Sequence, residues 1–81
     1  MIAPKVVAVT PTDDYKLIVK FENNETRSYD VSRLFSKSMF APLKDKRLFR
    51  CVQVEQGGYA VFWNDRIDIS EYELWSHGQT D

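Results

Sequence analysis

A single cysteine, Cys51, leaves the chain without an internal disulfide, and that absence fits a reducing, cytoplasmic setting. A single histidine, His77, close to the end of the chain, is a poor start for a nucleophile–base pair, because the base must be oriented by a third group. No stretch approaches the ~20 apolar residues that a membrane-spanning helix needs, so no membrane association is expected. A basic start followed by an apolar run is also missing, so no signal peptide is expected. The three glycines form no phosphate-cradling loop; Gly57-Gly58 reads instead as a hairpin turn. Repeats, linkers and low-complexity tracts are absent, and 81 residues suffice for one small domain spanning 1–81.

What is present is apolar and aromatic. With 43% hydrophobic residues and 14% aromatics, the chain has the material for a core, each large ring burying on the order of 150–250 Å². Net charge is only −1, but it is unevenly spread. Residues 1–50 hold ten Lys/Arg against six Asp/Glu, and residues 51–81 hold one against six. Such polarity suits a charged partner or self-association, although a small folded surface often carries it with no such role.

Lys5–Thr10 is rich in valine and reads as a strand with both faces covered. After the turn residues Pro11–Asp14, the segment Tyr15–Phe21 alternates, with Tyr15, Leu17, Val19 and Phe21 on one face. Asn23-Asn24 suits a tight hairpin, and Thr26–Val31 pairs back to complete a meander. Asp30 or Ser32 can cap a short helix anchored by Leu34 and Phe35. Pro42 breaks the chain near Ala41, and Asp45 caps a second short helix, Lys46–Arg50, with Leu48 and Phe49 inward. Cys51–Gln56 and Tyr59–Trp63 then form a hairpin about Gly57-Gly58, with Cys51 expected as a small buried hydrophobe. A two-residue turn at Asn64-Asp65 returns the chain as Arg66–Ile69.

Ser70-Glu71-Tyr72-Glu73 fits a capping box, in which Ser70 accepts from the Glu73 amide and Glu73 accepts from the Ser70 amide. Leu74 and Trp75 supply the buried side of that C-terminal helix, Gly78 ends it, and the last three residues are expected to fray. The class that follows is α+β: a small antiparallel sheet of two hairpin or meander units, short connecting helices and a C-terminal helix.

Four patterns recur together: Lys-Leu-x-Val-x-Phe at Lys16–Phe21, Tyr29-Asp30, Leu43-x-Asp45 followed by Phe49, and Trp63 followed by Ile67-Asp68-Ile69-Ser70 and Leu74. Together they resemble the small prokaryotic domain-of-unknown-function family 2442, over nearly the whole chain. The resemblance implies a compact α+β domain of bacteria and phages with no established catalytic residues and no cofactor. Some members carry an added helix-turn-helix domain, which is not seen in these 81 residues. Members tend to be encoded beside another small protein, which implies a toxin–antitoxin-like pairing.

Three functional readings compete. Asp65, Asp68, Glu71 and Glu73 beside Trp63 could hold a hard divalent cation, and Asp65 with Asp68 is the single opening for metal-dependent chemistry. Turn and cap duties already account for all but Asp68, so no catalytic, cofactor or metal site is assigned and an enzyme is not expected. Nucleic-acid binding would use Arg33, Lys37, Lys44, Lys46, Arg47 and Arg50, with Phe35, Phe40 and Phe49 between them as stacking platforms. The same rings are the core material of that segment, which favours a solvated charged face around buried aromatics. The favoured reading is a cytoplasmic protein-interaction module, binding a protein partner or itself, with Met39, Phe40 and Asp68 as contacts. Trp63 and Trp75 are of the type that anchors interfaces, but at least one of them is expected in the core.

Overall fold

The computed structural model describes residues 3–80. Strands β1 (Val6–Pro11), β2 (Lys16–Phe21) and β3 (Thr26–Asp30) form the first meander. Two 3-10 helices, Val31–Leu34 and Ala41–Lys44, and the single-turn helix α1 (Lys46–Phe49) lead to a second meander. That meander is β4 (Gln53–Val54), β5 (Ala60–Phe62) and β6 (Asp68–Ser70). Helix α2 (Glu71–His77) follows, and β7 (Gln79–Thr80) returns to the first sheet. The class is α+β as expected, with the two units closing separate antiparallel sheets, β1-β2-β3-β7 and β4-β5-β6.

The alternation in β2 sets the inner face. Leu17, Val19 and Phe21 are fully buried, and Leu17 lies opposite Tyr29, itself 1% exposed. Val19 lies opposite Arg27, which puts an arginine on the same inner face. The guanidinium stacks 3.4 Å from the Trp75 ring centre and donates to the Trp75 carbonyl. Trp75 in turn meets Phe21 edge-on, so α2 closes this face through an arginine–tryptophan stack. One core joins the sheets, with Val61, Trp63, Ile67, Ile69 and Leu74 packed among Leu17, Val19, Tyr29, Val31, Leu43 and Phe49.

Several expectations fail. β1 is an edge strand whose register shifts between Val6 and Ala8, and the bulge leaves Val7 53% exposed rather than covered. Tyr15 precedes β2 at φ +66° instead of opening the strand, and its ring packs edge-on against Phe35 and Phe49. Val31 is the fully buried anchor of the first 3-10 helix, while Leu34 and Phe35 are half-buried. Cys51 is exposed, because its N–H closes the end of α1 on the Leu48 carbonyl at 2.9 Å and the strand begins only at Gln53. The expected two-residue turn holds three residues, because Asn64 Oδ1 accepts from the amides of both Arg66 and Ile67, at 2.8 and 3.0 Å.

The caps at Asp30 and Asp45 form as expected, accepting from the amides of Ser32 and Arg47. The C-terminus differs: Gln79 and Thr80 pair with Ser28 and Arg27 instead of fraying, and Asp81 lies outside the described residues. Gly78 sits at an ordinary φ of −71°, so a left-handed helix end is not its role. A Cβ there would lie 2.3 Å from the Leu74 carbonyl oxygen and 3.1 Å from Arg27 Cβ. The Leu74 carbonyl of its own helix, with β3 close behind, demands the glycine.

Candidate functional site

The four carboxylates near Trp63 do not converge on one point. Asp65 and Asp68 border a shallow depression with Glu55, Phe62 and Asn64. Glu71 opens α2, where its amide donates to the Tyr59 carbonyl at 2.9 Å. Glu73 turns inward: Oε2 accepts from the Tyr29 hydroxyl at 2.7 Å, and Oε1 lies 3.2 Å from His77 Nδ1. Among the described residues no group of three or more His, Cys, Asp or Glu side chains is placed to hold a metal ion.

Glu73 is therefore a capping-box residue that makes only half of the box. Ser70 Oγ accepts from the Glu73 amide at 3.2 Å, but the Glu73 carboxylate serves Tyr29 and His77 instead of the Ser70 amide. Burial, and then the Glu73 carboxylate, raise the Tyr29 phenol well above its ordinary value of 10.0. The unfolded phenol ionises near pH 10 and the folded one resists, so this contribution to stability is complete below pH 10 and lost as pH climbs beyond it. The thermal midpoint is expected to fall above pH 10, and Tyr29→Phe should flatten that fall. Parallel alkaline melts, with ultraviolet titration of tyrosinate, check it; identical slopes would refute the assignment.

The basic residues do not all line one hollow. Arg33 lines a polar hollow with Lys16, Ser28, Asp30, His77 and Gln79, whereas Lys37 lines a different one. Lys46 lies over the Tyr15 ring, and the Lys44 carbonyl accepts from the Tyr15 hydroxyl. Arg47 pairs with Asp45 at 3.7 Å and Arg50 with Asp13 at 3.6 Å. The rings between these charges face inward: Phe49 is 1% exposed and Phe35 packs on Tyr15. Phe40, read both as core material and as a partner contact, is 9% exposed, because its ring joins the main core cluster.

Of the expected partner contacts, Met39 is 50% exposed and Asp68 is exposed. Phe40 and Asp68 meet in one groove of about 230 Å³, lined also by Tyr29, Leu34, Lys37, Ile69, Ser70 and Glu73. Met39 borders the next hollow with Ser38, Pro42, Asn64, Arg66 and Ile67. Met39–Phe40 and Ile67–Asp68 are neighbours in sequence, so the hollows form a band between the connecting segment and the strand β6.

A family model described as "Protein of unknown function (DUF2442)" matches residues 6–80. The chain belongs to this family. The DUF2442 match starts at the first residue of β1 and stops at the last residue of β7, so it contains both sheets and the band between them. No curated protein and no solved structure matches the chain. Among the described residues of this DUF2442 chain, no helix is long and apolar enough to cross a membrane.

The residues that pure sequence reasoning missed here are Tyr29, which diverts Glu73, and the Ser70 main chain. The capping-box spacing was visible, but the competitor for Glu73 comes from 44 residues away.

Proposed function

We propose that the chain is a protein-interaction module that binds a protein partner over the band between residues 34–42 and 64–73. The observation that carries the reading is the composition of that band. Exposed Met39, half-buried Leu34 and the small exposed edges of Phe40, Ile67 and Ile69 share the two hollows with Lys37, Arg66, Asp68 and Glu73. Apolar surface bordered by charged groups is the usual anatomy of a binding surface. The free, exposed Cys51 suits a reducing, cytoplasmic setting. The family resemblance supports the product of an adjacent gene as the partner, in a toxin–antitoxin-like pair.

Co-expression of the two products, with co-purification through a tag on one, tests the reading. A stable complex is expected, and Met39→Asp should weaken it by at least about tenfold while leaving the melting temperature of the free chain within a degree or so, because a charge then enters the apolar surface. Failure of the two products to associate would count decisively against the module.

A further inference from the structure

The β5–β6 ladder shows which main-chain groups of β6 are unused. The Trp63 amide donates to the Ile67 carbonyl at 3.0 Å, and the Glu71 amide donates to the Tyr59 carbonyl at 2.9 Å. Between these bonds the pairs are Phe62 with Asp68, Val61 with Ile69, and Ala60 with Ser70. In an antiparallel ladder hydrogen-bonded and non-bonded pairs alternate, so residues 67, 69 and 71 face β5. The N–H and C=O groups of Asp68 and Ser70 point the other way. β6 is the last strand of its sheet, and on that side lies the groove with Leu34, Lys37 and Phe40.

The Ser70 carbonyl, as the cap of α2, is drawn into the first helical turn. The Ser70 amide would be used by a complete capping box, but Glu73 is held by Tyr29. Asp68 N–H, Asp68 C=O and Ser70 N–H are left as a row of donor, acceptor and donor with no partner among the described residues.

We infer that this open side of β6 takes an extended segment of a partner protein as an added antiparallel strand, one that places a basic residue beside Asp68 and an apolar residue over Ile69. The inference rests on the interaction-module reading and specifies its binding mode. The residue opposite Asp68 exchanges two main-chain bonds with it, and the residue opposite Ser70 accepts a third. Side-chain direction then sets the partner's chemistry. The residue opposite Asp68 shares that aspartate's exposed face, where an opposite charge is favoured. The residue opposite Ile69 points into the groove against Leu34 and Phe40, which selects a β-branched apolar side chain. A second copy of β6 is a poor occupant, because it would bring a second Asp68 close to the first.

The probe is the peptide acetyl-Lys-Val-Lys-Val-Lys-amide, titrated into the ¹⁵N-labelled chain. The amides of Asp68 and Ser70 are expected to shift and to exchange more slowly with solvent. Ser70 has φ −70° and ψ 156°, a conformation proline adopts freely, so Ser70→Pro deletes the N–H without forcing the backbone. Ser70→Ala loses the same cap hydroxyl but keeps the N–H. Ser70→Ala should bind within about twofold of the parent, and Ser70→Pro about tenfold more weakly, the scale of one hydrogen bond with its partner stranded.

Should Ser70→Pro not fold, the parent chain carries the test alone. N-methylation of the peptide's lysines abolishes binding, whereas N-methylation of its valines, whose N–H groups face away, preserves it. Equal affinity of the two Ser70 variants, or unmoved Asp68 and Ser70 amides at millimolar peptide, overturns the edge mode. A complex with the adjacent gene product that both Ser70 variants form equally well overturns the edge mode and leaves the module reading standing. Absence of any such complex overturns the module itself. Concentration-dependent dimerisation lost only in Ser70→Pro would assign the edge to a second copy and refute the basic partner.

Discussion

Trp63→Ala is expected to cost about 3–5 kcal/mol, the range for truncating a buried large aromatic, and to leave the chain at or beyond the limit of folding. Trp63 is 6% exposed and stacks on Phe49, with ring centres 6.1 Å apart. Its indole N–H donates to the Phe49 carbonyl at 2.8 Å, satisfying a main-chain acceptor at the end of α1. Phe49 in turn contacts Tyr15 edge-on, so one ring links the second sheet to α1 and through it to the turn before β2. Removing it opens a cavity and strands a buried carbonyl. Trp63→Phe separates the two effects: the ring volume is mostly kept, the bond is lost, and a cost of about 1–3 kcal/mol is expected. Urea unfolding followed by far-ultraviolet circular dichroism measures both variants. A loss below about 1 kcal/mol for Trp63→Ala would refute the central position given to this ring.

Gly58→Ala should be the second most damaging substitution, at about 2–4 kcal/mol, from a left-handed backbone combined with a steric clash. Gly58 has φ +79°, and a Cβ there would lie 2.5 Å from the Val6 carbonyl oxygen and 2.9 Å from Lys5 Cβ. The Val6 amide donates to the Gly58 carbonyl at 2.9 Å, so the β4–β5 hairpin tip is docked on the start of β1. A methyl group at this point pushes the sheets apart. Gly57→Ala is the internal comparison. Its φ is +91°, but the Cβ would meet only the exposed Tyr59 ring, which can turn aside, so about 1 kcal/mol of backbone cost is expected. Faster hydrogen exchange at the Val6 amide in Gly58→Ala, with little change in Gly57→Ala, would place the damage at the contact between the sheets. Equal losses in both variants would mean that the backbone angle alone matters.

Much of the local structure was legible because its causes are local. The Leu17, Val19, Phe21 alternation fixes which face of β2 is inside, and Asn23-Asn24 and Gly57-Gly58 sit at turns that hold positive φ angles at Asn24, Gly57 and Gly58. Asp30, Asp45 and Ser70 each accept a main-chain amide at the start of a helix, as their side-chain chemistry dictates. The candidate site was legible in part. Asp68 stood out as the acid without a structural task, and it lies on the open side of β6. Phe40 was read both as core material and as a partner contact, and the structure sets its ring in the core with one edge on the groove, because an irregular segment carries no period from which to read its inward positions.

The amino-acid sequence by itself determined the α+β class, the order of the first six strands, the turns at Asn23-Asn24 and Gly57-Gly58 and the capped helix starts, since each depends on residues within a few positions of one another. Tertiary structure decided what depends on distant partners. Strand pairing with β3 holds Gln79 and Thr80 in place, and the edge position and bulge of β1 expose Val7. Tyr29, 44 residues away in the chain, draws Glu73 out of its capping box and leaves the Ser70 amide without that acceptor. The capping pattern is written in four consecutive residues, but which acceptor its carboxylate serves is settled by whatever the fold brings beside it.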